Sequence, residues 1–575
     1  MSWQQNVVLQ RPVGPPKRRE ERPYTAPNGN SGDSSILRYI KTLTSHQTNA
    51  KQQRMDRYLR QVKHPQPADE RVTIGPKSLP TTANKHQPFA KSLVATAAPA
   101  SQLQKKNGPP KVLQHEPKAR SDRSSQGKTA GRKRERAIAQ ASDLAHEYPS
   151  STSLCGENLA KETGTLNGLY YVLYESSSTK DNVPVILWLS GGPGCSGLVA
   201  LLFENGPCMF DDEADNIALN PYSWTGLAHV IYLDQPKGTG YSGGVNAFMQ
   251  PWSLGGAADS MREFLRQFYL KHQKLKAQDF YVFGESYAGH YVPDLAARLL
   301  DDDSSLPTLK GIAIGNGVVS TSAWVESAIP FLKSYNYGYQ FLGSNEEDLQ
   351  HSSDLFSSAI ANCRRGGNLR YSSSDGVSSD CAEALQRFNE IASRAASSVF
   401  NLGRNVYDIR RECHQEDELH LCYRFSRLQD FVNTAATKAY FNEASHNWKL
   451  CSSGASGELA PLDHLEESES NVARALAHGV RVLVYGGDAD TVVNWMSQDS
   501  WTRALAWEHQ PAFTAADFED VNFQGQTIGR VRTSHGFSFM KVYGAGHMVP
   551  HDQPATSYEM VRSFLYDAPG EGMFS

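Results

Sequence analysis

The sequence predicts an α/β fold in which a mostly parallel central sheet is flanked by helices. Three observations support this prediction. Short, continuous apolar runs recur along the chain, as is typical of strands buried on both faces. Segments with helical spacing of apolar residues separate these runs, which favours parallel strands joined by crossover helices. A glycine-rich turn that holds a serine directly follows one of the runs.

The apolar runs give five candidate strands in chain order, at 183–189, 230–233, 280–283, 312–314 and 480–485. Between them, residues 261–268 carry apolar side chains at positions i, i+3, i+4 and i+7, the pattern of one helix face. Residues 329–450 break the alternation, because they are rich in serine and hold several cysteines. We expect this segment to be an inserted cap.

Residues 1–148 differ from the rest in charge and composition. They hold 27 Lys and Arg against 11 Asp and Glu, whereas residues 149–575 hold 30 against 50. Rich in Pro, Gln and Ser, the segment predicts a largely irregular, basic N-terminal arm with short helices before one domain at 149–575. Composition alone favours a solvated linker, whereas the charge asymmetry points to an arm that binds an acidic macromolecular partner, a filament such as a microtubule or nucleic acid.

The sequence carries conflicting signals about the cellular compartment. No run reaches the roughly 18 apolar residues of a membrane helix, so no transmembrane segment is predicted. The first residues lack the apolar run of a secretory signal, and no Asn-x-Ser/Thr sequon occurs. Yet all eight cysteines follow position 154, and an even number favours disulfides in an oxidising compartment. A cytoplasmic or cytoskeletal location therefore stands beside a secretory one.

The candidate strand at 280–283 is followed by Gly284-Glu285-Ser286-Tyr287-Ala288-Gly289 and then by a predicted helix. A serine on a sharp strand-to-helix turn is a nucleophile elbow, and small residues two before and two after it let the backbone turn tightly. By itself the pattern does not prove catalysis, because a serine in such a glycine-rich turn is structural about half the time.

Other blocks along the chain support the catalytic reading. They are 188–197, 204–207, 220–224, 233–236, 485–490 and 544–550. The order Ser286, Asp490, His547 is that of the α/β-hydrolases. Over about 155–566 these blocks closely resemble those of the serine carboxypeptidases, which remove one C-terminal residue from peptides. The resemblance implies the α/β-hydrolase fold.

The resemblance also implies roles for the three residues. Ser286 is expected to be the nucleophile, His547 the base, and Asp490 the carboxylate that orients the histidine, with Asp488 only a turn residue. The backbone N–H groups of Gly192 and Tyr287 are expected to form the oxyanion hole.

An exopeptidase must also bind the free carboxylate of its substrate. By resemblance, Trp188, Ser190, Gly191 and Glu285 do so. Glu285 would share a proton with Glu204, which raises its pKa. Ser190 departs from the family, where most members have Asn, and a hydroxyl reaches less far than an amide.

The substrate pockets are predicted by the same resemblance. Phe203, Glu204 and Met548 would border the pocket for the leaving residue, and Val493 would line the subsite before the scissile bond with an apolar preference. A purely structural core role is an almost equal alternative for Phe203 and Val493.

Eight cysteines allow 105 connectivities from the sequence alone. The resemblance selects four bridges, namely Cys195–Cys451, Cys413–Cys422, Cys363–Cys381 and Cys155–Cys208. No metal site and no cofactor are predicted, because no C-x-x-C occurs and the one H-x-x-x-H, from His547 to His551, contains a proline.

Three functional hypotheses follow. The first is a serine-type carboxypeptidase acting on peptides with a free C-terminus through an acyl-enzyme on Ser286, for which the family implies a vacuolar, lysosomal or secreted location. The alternative is a carboxypeptidase-like body that serves as a structural part of a larger assembly, a microtubule or axoneme-like filament or a ribonucleoprotein, anchored by the basic arm. An acyltransferase with the same triad is the third.

Overall fold

A computed structural model describes residues 153–211, 216–243, 253–301, 303–335, 341–342, 346–365, 378–413, 422–443, 446–452 and 461–567. The predicted basic arm at 1–148 lies outside the described residues. Its expected acidic partner and its short helices therefore stay predictions.

The centre of the protein is a ten-stranded sheet with the order β1-β2-β6-β3-β7-β8-β9-β12-β11-β10, and β4 and β5 form a separate hairpin. The strands are β1 Lys161–Leu166, β2 Leu169–Tyr174, β3 Val185–Leu189, β4 Cys208–Asp211, β5 Asn216–Leu219, β6 His229–Leu233, β7 Phe280–Glu285, β8 Leu309–Gly315, β9 Arg481–Gly487, β10 Glu519–Phe523, β11 Gln526–Ser534 and β12 Phe537–Val542.

The six middle strands, from β6 to β12, run parallel, and the strands outside them pair antiparallel. The α/β prediction with a mostly parallel sheet is confirmed, and its five apolar runs correspond to β3, β6, β7, β8 and β9. The sequence predicted neither the outer strands nor β12. Several of them expose polar side chains along one face, as β10 does, so that they lack a continuous apolar run.

Thirteen helices lie in the described residues. They are α1 Gly197–Phe203, α2 Leu254–Lys271, α3 Ala288–Leu299, α4 Thr321–Ser334, α5 Glu346–Arg365, α6 Ser379–Phe400, α7 Phe425–Val432, α8 Ala435–Tyr440, α9 Glu469–Ala477, α10 Trp495–Ala504, α11 Gln510–Ala515, α12 Val549–Asp552 and α13 Pro554–Tyr566. In α2 the predicted apolar positions, Met261, Phe264, Leu265 and Phe268, are all buried. None of these thirteen helices combines the length and apolarity that a membrane crossing requires.

Both faces of the sheet are covered, which explains why its middle strands are apolar throughout. Alternate side chains point to opposite faces of a strand. Leu187 therefore packs on one face with Phe264 of α2, and its neighbour Trp188 packs on the other face with Phe564 of α13. All four side chains are at most 3% exposed.

Helices α4 to α8 all lie between β8 and β9, in the part of the chain where the sequence predicts an inserted cap. They include a core of their own, to which Phe331, Phe356 and Ile391 contribute. The expected cap limit at 329 falls inside α4, which begins at Thr321. The exact limits of the cap and the two-part division of the chain stay predictions.

Candidate active site

The candidate nucleophile lies where β7 turns into α3. Ser286 has φ 64°, a left-handed conformation that a non-glycine residue adopts only under constraint. Its carbonyl oxygen accepts hydrogen bonds from the N–H groups of Gly289 and Val318, both at 2.9 Å. At Gly284 a Cβ would lie 2.7 Å from the Cβ of Ala288, so the turn needs glycine there. The turn leaves Ser286 partly exposed at the carboxyl edge of the sheet.

The loops after β9 and β12 bring a carboxylate to a histidine. The His547 Nδ1 atom lies 2.7 Å from Asp490 Oδ2. Asp490 is fully buried and accepts three further hydrogen bonds, from Asn316 Nδ2 at 2.8 Å and from the N–H groups of Val492 at 2.7 Å and Val493 at 3.1 Å. When Nδ1–H donates to the carboxylate, Nε2 is the ring nitrogen that can accept a proton.

The neighbouring aspartate points elsewhere. Asp488 Oδ1 accepts a hydrogen bond from the N–H of Gly544 at 3.0 Å, which closes the loop before His547. Burial raises the pKa of Asp488, against the opposing effect of Lys541. Its side chain thus serves the loop, and Asp490 is the carboxylate in contact with His547.

The expected oxyanion loop packs directly on the elbow. At Gly191 a Cβ would lie 2.5 Å from the backbone nitrogen of Tyr287 and 2.7 Å from the Cβ of Ser286. Gly192 has φ 110°, a conformation that favours glycine, and it is exposed. The structure therefore brings the backbone of Gly191 beside that of Tyr287, and Gly192 is the next residue of the same loop.

Two carboxyl groups meet in the buried space beside this loop. Glu204 is 4% and Glu285 6% exposed, and their side chains are in hydrogen-bonding contact. Burial raises the pKa of Glu204 to about 7. Burial, together with the nearby charge of Glu204, raises the pKa of Glu285 well above its usual value. A contact between two carboxyls requires a shared proton, because two carboxylates would repel one another.

Ser190 lies between Trp188 and the oxyanion loop. The Trp188 Nε1–H donates to Ser190 Oγ at 3.1 Å, so the hydroxyl proton is available for another acceptor. Gln235 Nε2 donates to the carbonyl oxygen of Ser190 at 3.3 Å. Ser190 itself is 8% exposed.

The predicted pocket residues are mostly enclosed. Phe203 is fully buried, with its ring stacked on that of His551 at 4.2 Å and edge-on to Phe425 at 5.0 Å. Val493 is 1% and Met548 4% exposed. This packing favours the core alternative for Phe203 and Val493, and a pocket role for these side chains stays a prediction.

The structure joins the cysteines in the expected pairs, which are Cys155–Cys208, Cys195–Cys451, Cys363–Cys381 and Cys413–Cys422. Among the described residues, one group of metal-ligand types comes together, made of Cys155, Glu157 and Cys208. Its two cysteines form one disulfide, so neither offers a thiolate to a metal.

Two residues of the site were not predicted from the sequence. Asn316 holds Asp490 and also accepts a hydrogen bond from the N–H of Gly487 at 3.1 Å. Its position between two glycines at the end of a candidate strand was the available signal. Tyr407 accepts a hydrogen bond from the N–H of His547 at 2.7 Å. That contact joins distant parts of the chain and has no local signature.

Comparisons with known proteins agree on one family. The family model described as "Serine carboxypeptidase" matches residues 159–567. Serine carboxypeptidase-like 48 from Arabidopsis thaliana is 31% identical over 402 residues, which cover 69% of this chain and 75% of that protein. Vacuolar serine-type carboxypeptidase ATG42 from Saccharomyces cerevisiae is 32% identical over 401 residues, which cover 69% and 76%.

A solved structure shows the same fold. The crystal structure of Kex1Δp, a prohormone-processing carboxypeptidase from Saccharomyces cerevisiae, matches with a TM-score of 0.57 at 22% sequence identity. The match covers 73% of this chain and 89% of Kex1Δp.

Proposed function

The chain belongs to the serine carboxypeptidase family, and we propose that it removes C-terminal residues from peptides through an acyl-enzyme formed on Ser286. The observation that carries the proposal is the 2.7 Å contact between His547 Nδ1 and the fully buried Asp490. It lies at the same sheet edge as a serine held in a strained turn.

In the proposed reaction Ser286 Oγ attacks the carbonyl carbon of the last peptide bond, and His547 Nε2 takes the hydroxyl proton. The C–N bond then breaks, and His547 returns the proton to the departing amine, which leaves as a free amino acid. Water attacks the acyl group by the same route and regenerates Ser286. Asp490 keeps the imidazole in the required tautomer and stabilises its charged form.

The negative charge that develops on the carbonyl oxygen of the substrate must be stabilised by hydrogen-bond donors. The N–H groups of Gly192 and Tyr287 are proposed for this role, since the loop of Gly191 lies against the backbone of Tyr287. Donors held by packing need no rearrangement during the reaction, and each is typically worth about 10²–10³ in rate.

Restriction to the last residue requires a site for the substrate carboxylate. The protonated Glu204–Glu285 pair can donate one hydrogen bond to it, and the hydroxyl of Ser190 can donate another. This recognition works while the pair keeps its proton, and it therefore favours acidic conditions. A vacuole-like compartment, such as the name of one relative states for that relative, fits this requirement.

The two other hypotheses lack support in the described residues. A structural role in a filament or ribonucleoprotein depends on residues 1–148, which lie outside that part of the chain. An acyltransferase would use the same triad, and no described contact selects it over hydrolysis.

The test is hydrolysis of N-blocked dipeptides at mildly acidic pH, together with labelling by a fluorophosphonate. We expect turnover and labelling in the oxidised wild-type protein and neither in Ser286→Ala. Ser358→Ala, which changes an exposed serine on α5, is the matched control and should retain both. Absence of both turnover and labelling in the folded wild-type protein would contradict the proposal.

A further inference from the structure

A short segment from the region between β8 and β9 contacts both loops of the proposed triad. It consists of residues 404–413 and is called the strap below. Its main chain accepts a hydrogen bond from the N–H of His547, at the carbonyl oxygen of Tyr407 and 2.7 Å. The strap lies close to this loop, because a Cβ at Gly546 would be 2.2 Å from the same oxygen.

The strap also contacts the residues on either side of Asp490. The N–H of Ile409 donates to the carbonyl oxygen of Ala489 at 3.0 Å, and the N–H of Thr491 donates to the carbonyl oxygen of Val406 at 3.1 Å. Asp490 is therefore flanked by two strap contacts, and His547 makes a third. The His547 and Asp490 loops follow different strands, so the strap is a direct main-chain bridge between them.

A buried carboxylate organises the strap. The side chain of Asp408 has no exposed surface, and it accepts hydrogen bonds from Nε and Nη2 of Arg410 at 2.8 and 2.7 Å and from Nε of Arg411 at 3.1 Å. A charge that accepts several charged donors inside a protein has one favourable orientation. Asp408 thus fixes the shape of the strap between its contacts with the two loops.

A second buried carboxylate extends this network to the histidine loop. Arg411 Nη2 donates to Asp552 Oδ1 at 3.0 Å, and Asp552 Oδ2 accepts from the N–H of Gly546 at 2.6 Å. Asp408, Arg411 and Asp552 form a continuous path to the residue that precedes His547. Two buried carboxylates face two arginines along it, so the charges balance.

We propose that the strap is a positioning device for the triad, with Asp408 as its anchor and Arg411 as its link to the His547 loop. The inference rests on the proposed function, because it concerns how the triad is held for that reaction. Asp408, Arg411 and Asp552 touch neither substrate nor reacting atoms in this scheme. They set the separation of His547 from Asp490 through the backbone.

The proposal predicts a loss in kcat with little change in KM. A misplacement of about 1 Å costs roughly 10²-fold in rate, and we expect a loss of that size for Asp408→Asn and about tenfold for Arg411→Met. The rate of labelling of Ser286 by a fluorophosphonate should fall in parallel, since labelling also requires an activated serine. Substrate affinity depends on Glu204, Glu285 and Ser190, which lie outside the strap.

Asp303→Asn is the matched control. Asp303 also accepts hydrogen bonds from two arginines, from Arg262 Nη2 at 3.3 Å and from Arg266 Nε at 2.9 Å, but it lies between α3 and the start of β8. We expect its kcat and labelling rate to equal those of the wild type. Should Asp408→Asn fail to fold, Arg411→Met decides, because this arginine is half exposed and its loss leaves no buried hole.

Wild-type kcat and labelling in folded Arg411→Met, an equal loss in Asp303→Asn, or a loss confined to KM would each overturn the proposal. A wild-type protein that is labelled but hydrolyses no peptide would contradict the carboxypeptidase function, while labelling rates would still measure the effect of the strap. A folded wild-type protein without labelling would overturn both.

Discussion

At the scale of single residues, Asp488 and Asp490 lie two positions apart on one loop and have different partners. Asp490 accepts from His547, from Asn316 and from two backbone N–H groups, whereas Asp488 accepts from Gly544. The same residue type therefore serves orientation of the base in one case and closure of a turn in the other. The hydrogen-bond partners, and not the sequence position, separate the two roles.

We expect Asp490→Asn to lower kcat by about 10⁴-fold, since an amide would favour the wrong tautomer of His547. Asp488→Asn should retain nearly all of kcat, because its oxygen can still accept from Gly544. The measurement is kcat on an N-blocked dipeptide, with thermal melting to show that both variants fold. A larger loss in Asp488→Asn than in Asp490→Asn would contradict the assignment.

A second residue-scale prediction concerns the carboxyl pair. Burial raises the pKa of Glu204 to about 7 and that of Glu285 well above its usual value, so the pair acquires a negative charge as pH rises through neutrality and Glu204 ionises. The ionised pair would repel a substrate carboxylate. We expect KM for a free-carboxylate dipeptide to rise by up to about tenfold per pH unit above this range.

The double variant Glu204→Gln/Glu285→Gln should show a KM that is independent of pH over the same range, because its amides do not titrate. The matching C-terminal amide is the substrate control in the wild type, since it carries no negative charge. A pH-dependent KM of equal steepness for the amide and the free acid would refute this origin.

At the scale of elements, the expected oxyanion loop is held between β3, α1 and the segment after α8. Asp234 accepts from Ser196 Oγ at 2.5 Å and from the N–H of Gly197 at 2.9 Å, which fixes the start of α1. The Cys195–Cys451 bridge and the bond from the N–H of Ser196 to the carbonyl oxygen of Leu450 fix the other side. These contacts therefore hold the loop in place against the turn at Ser286.

Gly191→Ala should therefore lower kcat by about 10²–10³-fold, the usual value of one oxyanion donor. Its Cβ would lie 2.5 Å from the backbone nitrogen of Tyr287, and backbone must shift to accept it. Gly255→Ala in α2 is the control, because its Cβ would meet only the flexible end of Arg298. We expect the control to keep wild-type kcat, with stability slightly raised by its better helix propensity.

At the scale of the whole molecule, several buried carboxyl groups prefer to be protonated. Burial raises the pKa of Asp234 to about 6 and that of Glu469 to about 8, the latter also through the charge of Glu467. The folded chain therefore holds protons that the unfolded chain releases near pH 4. The stability that these two carboxyl groups contribute therefore falls as pH rises from about 4 to about 8, because their unfolded forms bind fewer protons in that window.

At lower pH, another group makes the stability of the fold change with pH in the opposite direction. Burial opposes the ionised form of Glu162, but contacts with His272, Tyr171 and Lys271 outweigh it and hold the pKa of Glu162 at about 2. The stability that this group contributes is complete above about pH 4.5 and is lost as pH falls towards 2. For these three groups taken together, the contribution to stability is highest in the mildly acidic range.

We expect Tm to be several degrees higher at about pH 5 than at about pH 8, since about 1 kcal/mol shifts Tm by a few degrees in a domain of this size. Glu469→Gln should reduce this difference. Glu383→Gln, at an exposed position on α6, should leave it unchanged. A Tm that rises from pH 5 to pH 8 in the wild type would disprove the expected fall in stability with rising pH.

The sequence by itself determined the central strands other than β12, the elbow and the chain order of Ser286, Asp490 and His547. Each depends on local requirements: a strand buried on both faces needs a continuous apolar run, and a turn as tight as that at Ser286 needs small neighbours such as Gly284. The resemblance to a family added the roles of these residues. Each of these requirements concerns residues that are neighbours in the sequence, so it can be recognised from the sequence alone.

Only the tertiary structure decided which distant groups meet. It enclosed Phe203 against His551, brought Asn316 to Asp490, and laid the strap at 404–413 across the loops of Asp490 and His547. In the sequence the strap is a short, largely polar stretch that ends at Cys413, one member of a cysteine pair. Its contacts with the two loops join residues at least 80 positions apart, and such contacts depend on how whole elements pack rather than on local backbone preference.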